Sequence, residues 1–156
     1  MSDKAINVSF KVIKIATTGF SFNEPEDTKS LEDGQELGVN LDVALNIETD
    51  SDIDQRQLLT VIVTSEFFDK KNKVTLFSHK AKTVFAVEGL EEMDDNVEGE
   101  DIGYKIPIDL MVMTQSLAFS HARALLATET SNTIYKDFYL PLIDPAIFTK
   151  NKVSQK

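Results

Sequence analysis

The 156-residue chain has no cysteine and no tryptophan. Without a thiol, a disulfide framework, a cysteine nucleophile and cysteine-ligated zinc or iron–sulfur are all excluded. Basic residues are scarce: 16 Lys and Arg stand against 26 Asp and Glu, the net charge is −10, and only Arg56 and Arg123 are arginine. Nucleic-acid recognition leans on arginine forks and basic patches, so this balance argues against nucleic acid, and its sign disfavours adhesion to anionic lipid. The first ten residues lack a basic segment followed by an apolar one, and no apolar run approaches bilayer-spanning length. The expectation is a cytoplasmic protein with no direct membrane insertion, folded as a single domain over residues 1–156.

What the chain does have is long alternating runs. Leu58 to Phe68 and Val74 to Val87 are β-branched and aromatic stretches around the polar turn 69–73, which is a hairpin pattern. In the second run Thr75, Phe77, His79, Ala81, Thr83, Phe85 and Val87 share a face, and Leu76, Ser78, Lys80 and Lys82 take the other. Leu37, Val39, Leu41, Val43, Leu45 and Ile47 alternate without a break against Gly38, Asn40, Asp42, Ala44 and Asn46. Between Val8 and Ile15 the apolar positions change face after Val12, which predicts a bulge or a sandwiched strand. Pro107 suits the first turn of a helix over about 106–131, with Leu110, Met113, Leu117, Ala118, Ala122 and Leu125 as its apolar positions and Thr114, Gln115, Arg123, Thr128 and Glu129 as polar ones. A short helix near the C-terminal end follows, capped by Asp144 with Pro145 at its first position. Four long strands, a long helix and a short one make an α+β domain, with the long helix covering the sheet.

The irregular segments are of two kinds. Thr17 to Gly34 and Gly89 to Gly103 are polar; the second holds seven carboxylates and almost nothing to bury, so it reads as solvated. Phe20 and Phe22 stand out in the first, as rings that pin a loop to the core or as the rim of a groove. Ile134 to Phe148 is apolar and aromatic. Asp50, Asp52 and Asp54 have the opening spacing of a calcium loop, but Gln55 and Val61 stand where that loop needs Gly and Glu, so the acids read as a solvated turn and no metal is expected. His79 and His121 have no ligand spacing around them, and Ser120 and His121, adjacent on a helix, point apart. Gly89, Gly99 and Gly103 lie in an acidic segment, the wrong sign for a phosphate loop. Catalysis and a cofactor therefore have no support in the residues.

Several segments, taken in order, carry a resemblance. Phe10 to Pro25, with its Phe-x-x-x-x-Ile spacing and Ser-Phe-x-x-Pro ending, resembles the first strand and crossover loop of the SecB protein-export chaperone family. Ala122-Arg123, followed by Leu140-Pro-Leu-Ile-Asp-Pro-Ala-Ile-Phe148, is similar to that family's Tyr-Ala-Arg-Glu helix and closing Leu-Ala-Pro-Val-Asn-Phe-Asp-Ala-Leu segment. Val84-Phe-Ala-Val-Glu-Gly89 matches its fourth-strand ending. The resemblance implies a four-stranded antiparallel sheet with a crossover loop and a homotetramer built as a dimer of dimers. The implied function is an ATP-independent holdase that binds unfolded polypeptide in apolar grooves. On this chain the implied groove residues are Phe20, Phe22, Val39, Leu41, Phe138, Leu142, Ile143, Ile147 and Phe148. In the family, acidic residues of the crossover loop and of the third-to-fourth-strand region face the translocase motor SecA; Gly19, Asn23 and Ser78 occupy those positions here. The residues after Lys150 are basic where the family's are acidic, and the first helix lacks its proline. The implied partners are thus export clients with SecA, or a dedicated client such as the antitoxin of a toxin–antitoxin system. A module for a small apolar ligand between sheet and helix is the alternative from another class.

Overall fold

The computed structural model describes residues 7–23, 37–92, 103–150 and 154–155. Four long strands form an antiparallel sheet: β1 (Ser9–Phe22), β2 (Leu37–Thr49), β3 (Arg56–Asp69) and β4 (Thr75–Glu88), in spatial order β1-β4-β3-β2. β2–β3 and β3–β4 are hairpins, whereas β1 lies beside β4 at the far side from β2, so the connection between β1 and β2 crosses the sheet. Past Glu88 come the two-residue strands β5 (Glu91–Glu92) and β6 (Tyr104–Lys105), which pair with each other. Helix α1 (Ile108–Thr130), a 3₁₀ helix (Pro145–Lys150) and the two-residue strand β7 (Ser154–Gln155) complete the chain. This is the SecB-like α+β arrangement expected, with the short helix realised as 3₁₀. Asp144 caps it as foreseen: its Oδ1 accepts from Ala146 N at 2.9 Å.

Side-chain parity decides which face is dry. Leu59, Val61, Val63, Ser65 and Phe67 of β3 lie opposite Phe85, Thr83, Ala81, His79 and Phe77 of β4, and all ten are buried. Leu45 and Ile47 extend the row onto β2. α1 packs across β4, β3 and β1 through Leu110, Met111, Ala118, Phe119, Ala122 and Leu126. The switch of face in the first strand is a register irregularity between Val12 and Lys14, and a second falls between Thr17 and Gly19.

Three expectations need correction. The first strand does not end at Thr17: it continues to Phe22, which pairs with Phe77, so Phe20 and Phe22 stand on a strand. The β-branched Thr17 favours extension, and the bulge at Thr18 lets the strand resume its pairing at Gly19, opposite Lys80. Residues 24–36 of that expected loop, 93–102 of the acidic segment and most of the basic stretch after Lys150 lie outside the described residues.

The buried face of α1 is also rotated from the one expected. Thr114 and Gln115 are buried, while Met113 is 49% exposed and Leu117 is exposed too. Burial of the polar pair is affordable because both find acceptors: Thr114 Oγ1 donates to Leu110 O at 2.8 Å, and Gln115 Nε2 to Phe148 O at 3.4 Å. Finally, Phe148 is core, 2% exposed, with its ring 6.4 Å from that of Phe119.

Candidate functional site

One end of the sheet gathers a cluster of aromatic residues. Phe67 and Phe77, paired across β3 and β4, stack at 4.2 Å between ring centroids. Tyr135 lies against Phe77 at 4.6 Å, Phe138 is 6.0 Å from Tyr135 and 6.2 Å from Phe77, and Phe22 meets Tyr135 edge-on at 6.3 Å. Phe20 completes the group, 5.7 Å from Phe22 and 6.3 Å from the ring of His79. The segment after α1 is held to β1 by Tyr135 Oη, which donates to the carbonyl of Asn23. Val39 on β2 stands opposite Phe67, so the cluster runs on into the inward row Leu37, Val39, Leu41 and Val43.

That row is covered only in part. α1 packs on β4, β3 and β1, and Leu37, Val39, Leu41 and Val43 remain half-buried at the margin of the core, as do Phe138 and Ile143. Phe22 is 42% exposed, and in the following segment Tyr139, Leu142 and Ile147 are exposed, Leu142 by 82%. The structure thus brings Phe20, Phe22 and Phe138 into one aromatic cluster, which Val39 adjoins across the sheet through Phe67. Leu41 and Ile143 lie at the edge of the core, Leu142 and Ile147 project to solvent, and Phe148 is buried. Sequence reading missed Leu37 and Val43, although they share the alternation of Val39 and Leu41. It also missed Tyr135, whose role depends on a contact 112 residues away.

The positions that differ from the SecB pattern are built into the β1–β4 seam. Asn23 N donates to Leu76 O at 2.8 Å and its Nδ2 to Thr75 O at 3.0 Å, and the hydroxyls of Ser21 and Ser78 are 2.8 Å apart. Asp50, from the acidic turn, is buried; it pairs with Arg56 at 2.5 Å and accepts from Asp52 N at 2.9 Å. The Asp52 N–H first, and then the Arg56 side chain, hold the Asp50 carboxyl below its ordinary range.

Each histidine is paired with a threonine hydroxyl, and Ser120 turns away from His121. His79 Nε2 is 3.1 Å from Thr17 Oγ1 and His121 Nδ1 is 3.1 Å from Thr83 Oγ1, whereas the Ser120 hydroxyl donates to Ser116 O at 3.1 Å. Burial lowers the pKa of both imidazoles; Glu129 opposes the shift at His79. Because the folded values lie below the unfolded value of about 6.5, the unfolded state binds more protons once pH falls below that value. The urea midpoint is therefore expected to hold above pH 7 and to fall progressively from about pH 6.5 downward, and His79→Asn should flatten the slope between pH 7 and 5. A midpoint that rises on acidification over that range would contradict the neutral, buried assignment.

The class defined by this fold is a sheet-and-helix domain with an incompletely covered apolar margin. Among solved structures it is similar to the Mycobacterium tuberculosis Rv1957 SecB-like chaperone in complex with a ChAD peptide from the Rv1956 HigA1 antitoxin. The TM-score is 0.52 at 8% identity, over 86% of this chain and 91% of that one. A protein of unknown function from Streptococcus agalactiae aligns with a TM-score of 0.41 at 7% identity, over 88% of this chain and 98% of that one. No family model matches the sequence. No curated protein matches it either. The likeness is one of fold. Among the described residues, no helix is long and apolar enough to cross a membrane.

Proposed function

We propose that this protein is an ATP-independent, SecB-like holdase that keeps non-native polypeptide bound along the apolar margin formed by β1, β2 and the segment after α1. The observation that carries the reading is the half-buried row Leu37 to Val43 on β2, together with exposed Phe22 on β1 and exposed Tyr139 and Leu142 in the segment after α1, on a fold shared with a peptide-binding chaperone. Apolar area removed from water contributes roughly 25 cal/mol per Å², from which the ordering of the client is subtracted. A net charge of −10 keeps such a surface soluble while it stays open.

A dedicated client, such as an antitoxin, is preferred to an export client handed to SecA. Asn23 and Ser78, where the family pattern has acidic residues, spend their side chains on the β1–β4 seam. A homotetramer in the cytoplasm is part of the same reading. α1 carries only Asp109, Arg123 and Glu129 as charged residues, and its solvent side shows Met113 and Leu117, as a helix partnered on both sides does. The small-ligand alternative is less well supported: Leu59, Phe85, Ala118, Phe119, Ala122 and Leu126 already fill the space between sheet and helix.

The test is suppression of aggregation of a reduced, unfolded protein, together with the affinity for an apolar peptide. Leu142→Asp, at a site too exposed to matter for folding, is expected to leave the urea midpoint unchanged and to weaken peptide binding about tenfold, the equivalent of burying one leucine. A wild-type protein that neither suppresses aggregation nor binds the peptide would end the holdase reading.

A further inference from the structure

β2 has β3 on one side, and on the other the chain's own β7 lies parallel to it, Asn46 opposite Ser154 and Ile47 opposite Gln155. β2 is 13 residues long, so β7 occupies two positions toward its end and leaves Leu37 to Leu45 without a neighbouring strand among the described residues. A free sheet edge presents N–H and C=O groups that template an added strand. Here the edge belongs to the strand whose inward residues Val39, Leu41 and Val43 are half-buried. A segment paired along it would place every second side chain beside that apolar row and the others beside Asn40, Asp42 and Ala44, which are exposed on the outer side.

From this juxtaposition we propose that the β2 edge is a strand-addition site for an extended client segment, and that β7 is the chain's own competitor for it. The proposal rests on the holdase reading of the same margin and adds how the client backbone is held, which sequences fit, and what limits access. The favoured client alternates apolar residues with polar or basic ones, the latter suited to Asp42, and has no proline where its N–H must meet the edge. A client that uses the full length of β2 must displace β7, so the apparent affinity is reduced by the fraction of molecules in which β7 is paired.

The experiment uses the full chain and a fluorescent 11-residue peptide alternating Leu or Val with Lys and Ser. Ser154→Pro combined with Gln155→Pro disables the pairing of β7 and is expected to tighten binding about three- to tenfold, with a small fall in the urea midpoint, because the pairing that competes with the client also stabilises the folded chain by the same free energy. With the wild-type chain, N-methylating every second residue of the peptide should weaken binding at least about tenfold in one register and less than about twofold in the other, because only alternate N–H groups face the edge. Equal binding of the two N-methylated peptides would overturn strand addition, leaving a margin that holds side chains alone. Unchanged or weaker binding by the double-proline variant would overturn the competitor role. If no peptide, methylated or not, binds either protein, the holdase reading itself fails, and this inference with it.

Discussion

Tyr135→Ala is expected to destabilise the protein by roughly 3–5 kcal/mol, the range for truncating a large buried aromatic side chain. Tyr135 is 0% exposed, its ring lies against Phe77, Phe138 and Phe22, and its hydroxyl donates to the Asn23 carbonyl. Removing the ring leaves a void among three aromatics and frees the end of β1 from the segment after α1. Since single domains are stable by only about 5–15 kcal/mol, this one change takes a large share of the total. Tyr135→Phe keeps the ring and deletes the tether, so it should cost about 1 kcal/mol. Urea denaturation of the three proteins separates packing from hydrogen bond. If Tyr135→Phe proves as damaging as Tyr135→Ala, the tether and not the ring carries the stability. If neither matters, the aromatic cluster is not the element that joins β1 to the segment after α1.

The second large effect is expected at Gly89, where the chain leaves β4. Its φ is +89°, and a Cβ there would lie 2.7 Å from the carbonyl oxygen of Asn7. Gly89→Ala thus meets two penalties: backbone strain of about 1–3 kcal/mol, and displacement of a main-chain atom that cannot rotate away. Gly19→Ala is the matched control. No positive φ holds Gly19, and the atom nearest to a new Cβ is Lys80 Cβ at 3.6 Å, an ordinary contact. That substitution should change stability by less than about 0.5 kcal/mol. Thermal or urea midpoints of the two variants give the comparison directly, and equal losses would mean that the Gly89 conformation relaxes at little cost.

The contrast between these glycines illustrates how much could be read in advance. Local pattern was enough for the strands, because a period of two is written into consecutive residues. The alternation from Leu37 to Ile47 and from Thr75 to Val87 named the inward rows correctly, and the change of face after Val12 announced the bulge. The Asp144–Pro145 cap was legible for the same reason: donor and acceptor are neighbours. Helix α1 was harder, since it is apolar on most sides and its polar residues do not mark its wet face. Thr114 and Gln115 could be placed inside only once their acceptors, Leu110 O and Phe148 O, were known. Phe148 was misjudged as groove because an apolar residue in an irregular segment looks the same whether it is covered or not.

By itself, then, the sequence determined the α+β class, the four long strands and their dry faces, and the exclusion of thiol chemistry. These are matters of composition and short-range periodicity. Only the tertiary structure decided that β1 runs on to Phe22, that Tyr135 ties Asn23 to the segment after α1, that α1 stops short of covering β2, and that β7 rests on the β2 edge. Each of these depends on a pairing between residues distant in the chain, and which of two apolar surfaces is left uncovered is set by where the covering element ends, not by the residues beneath it.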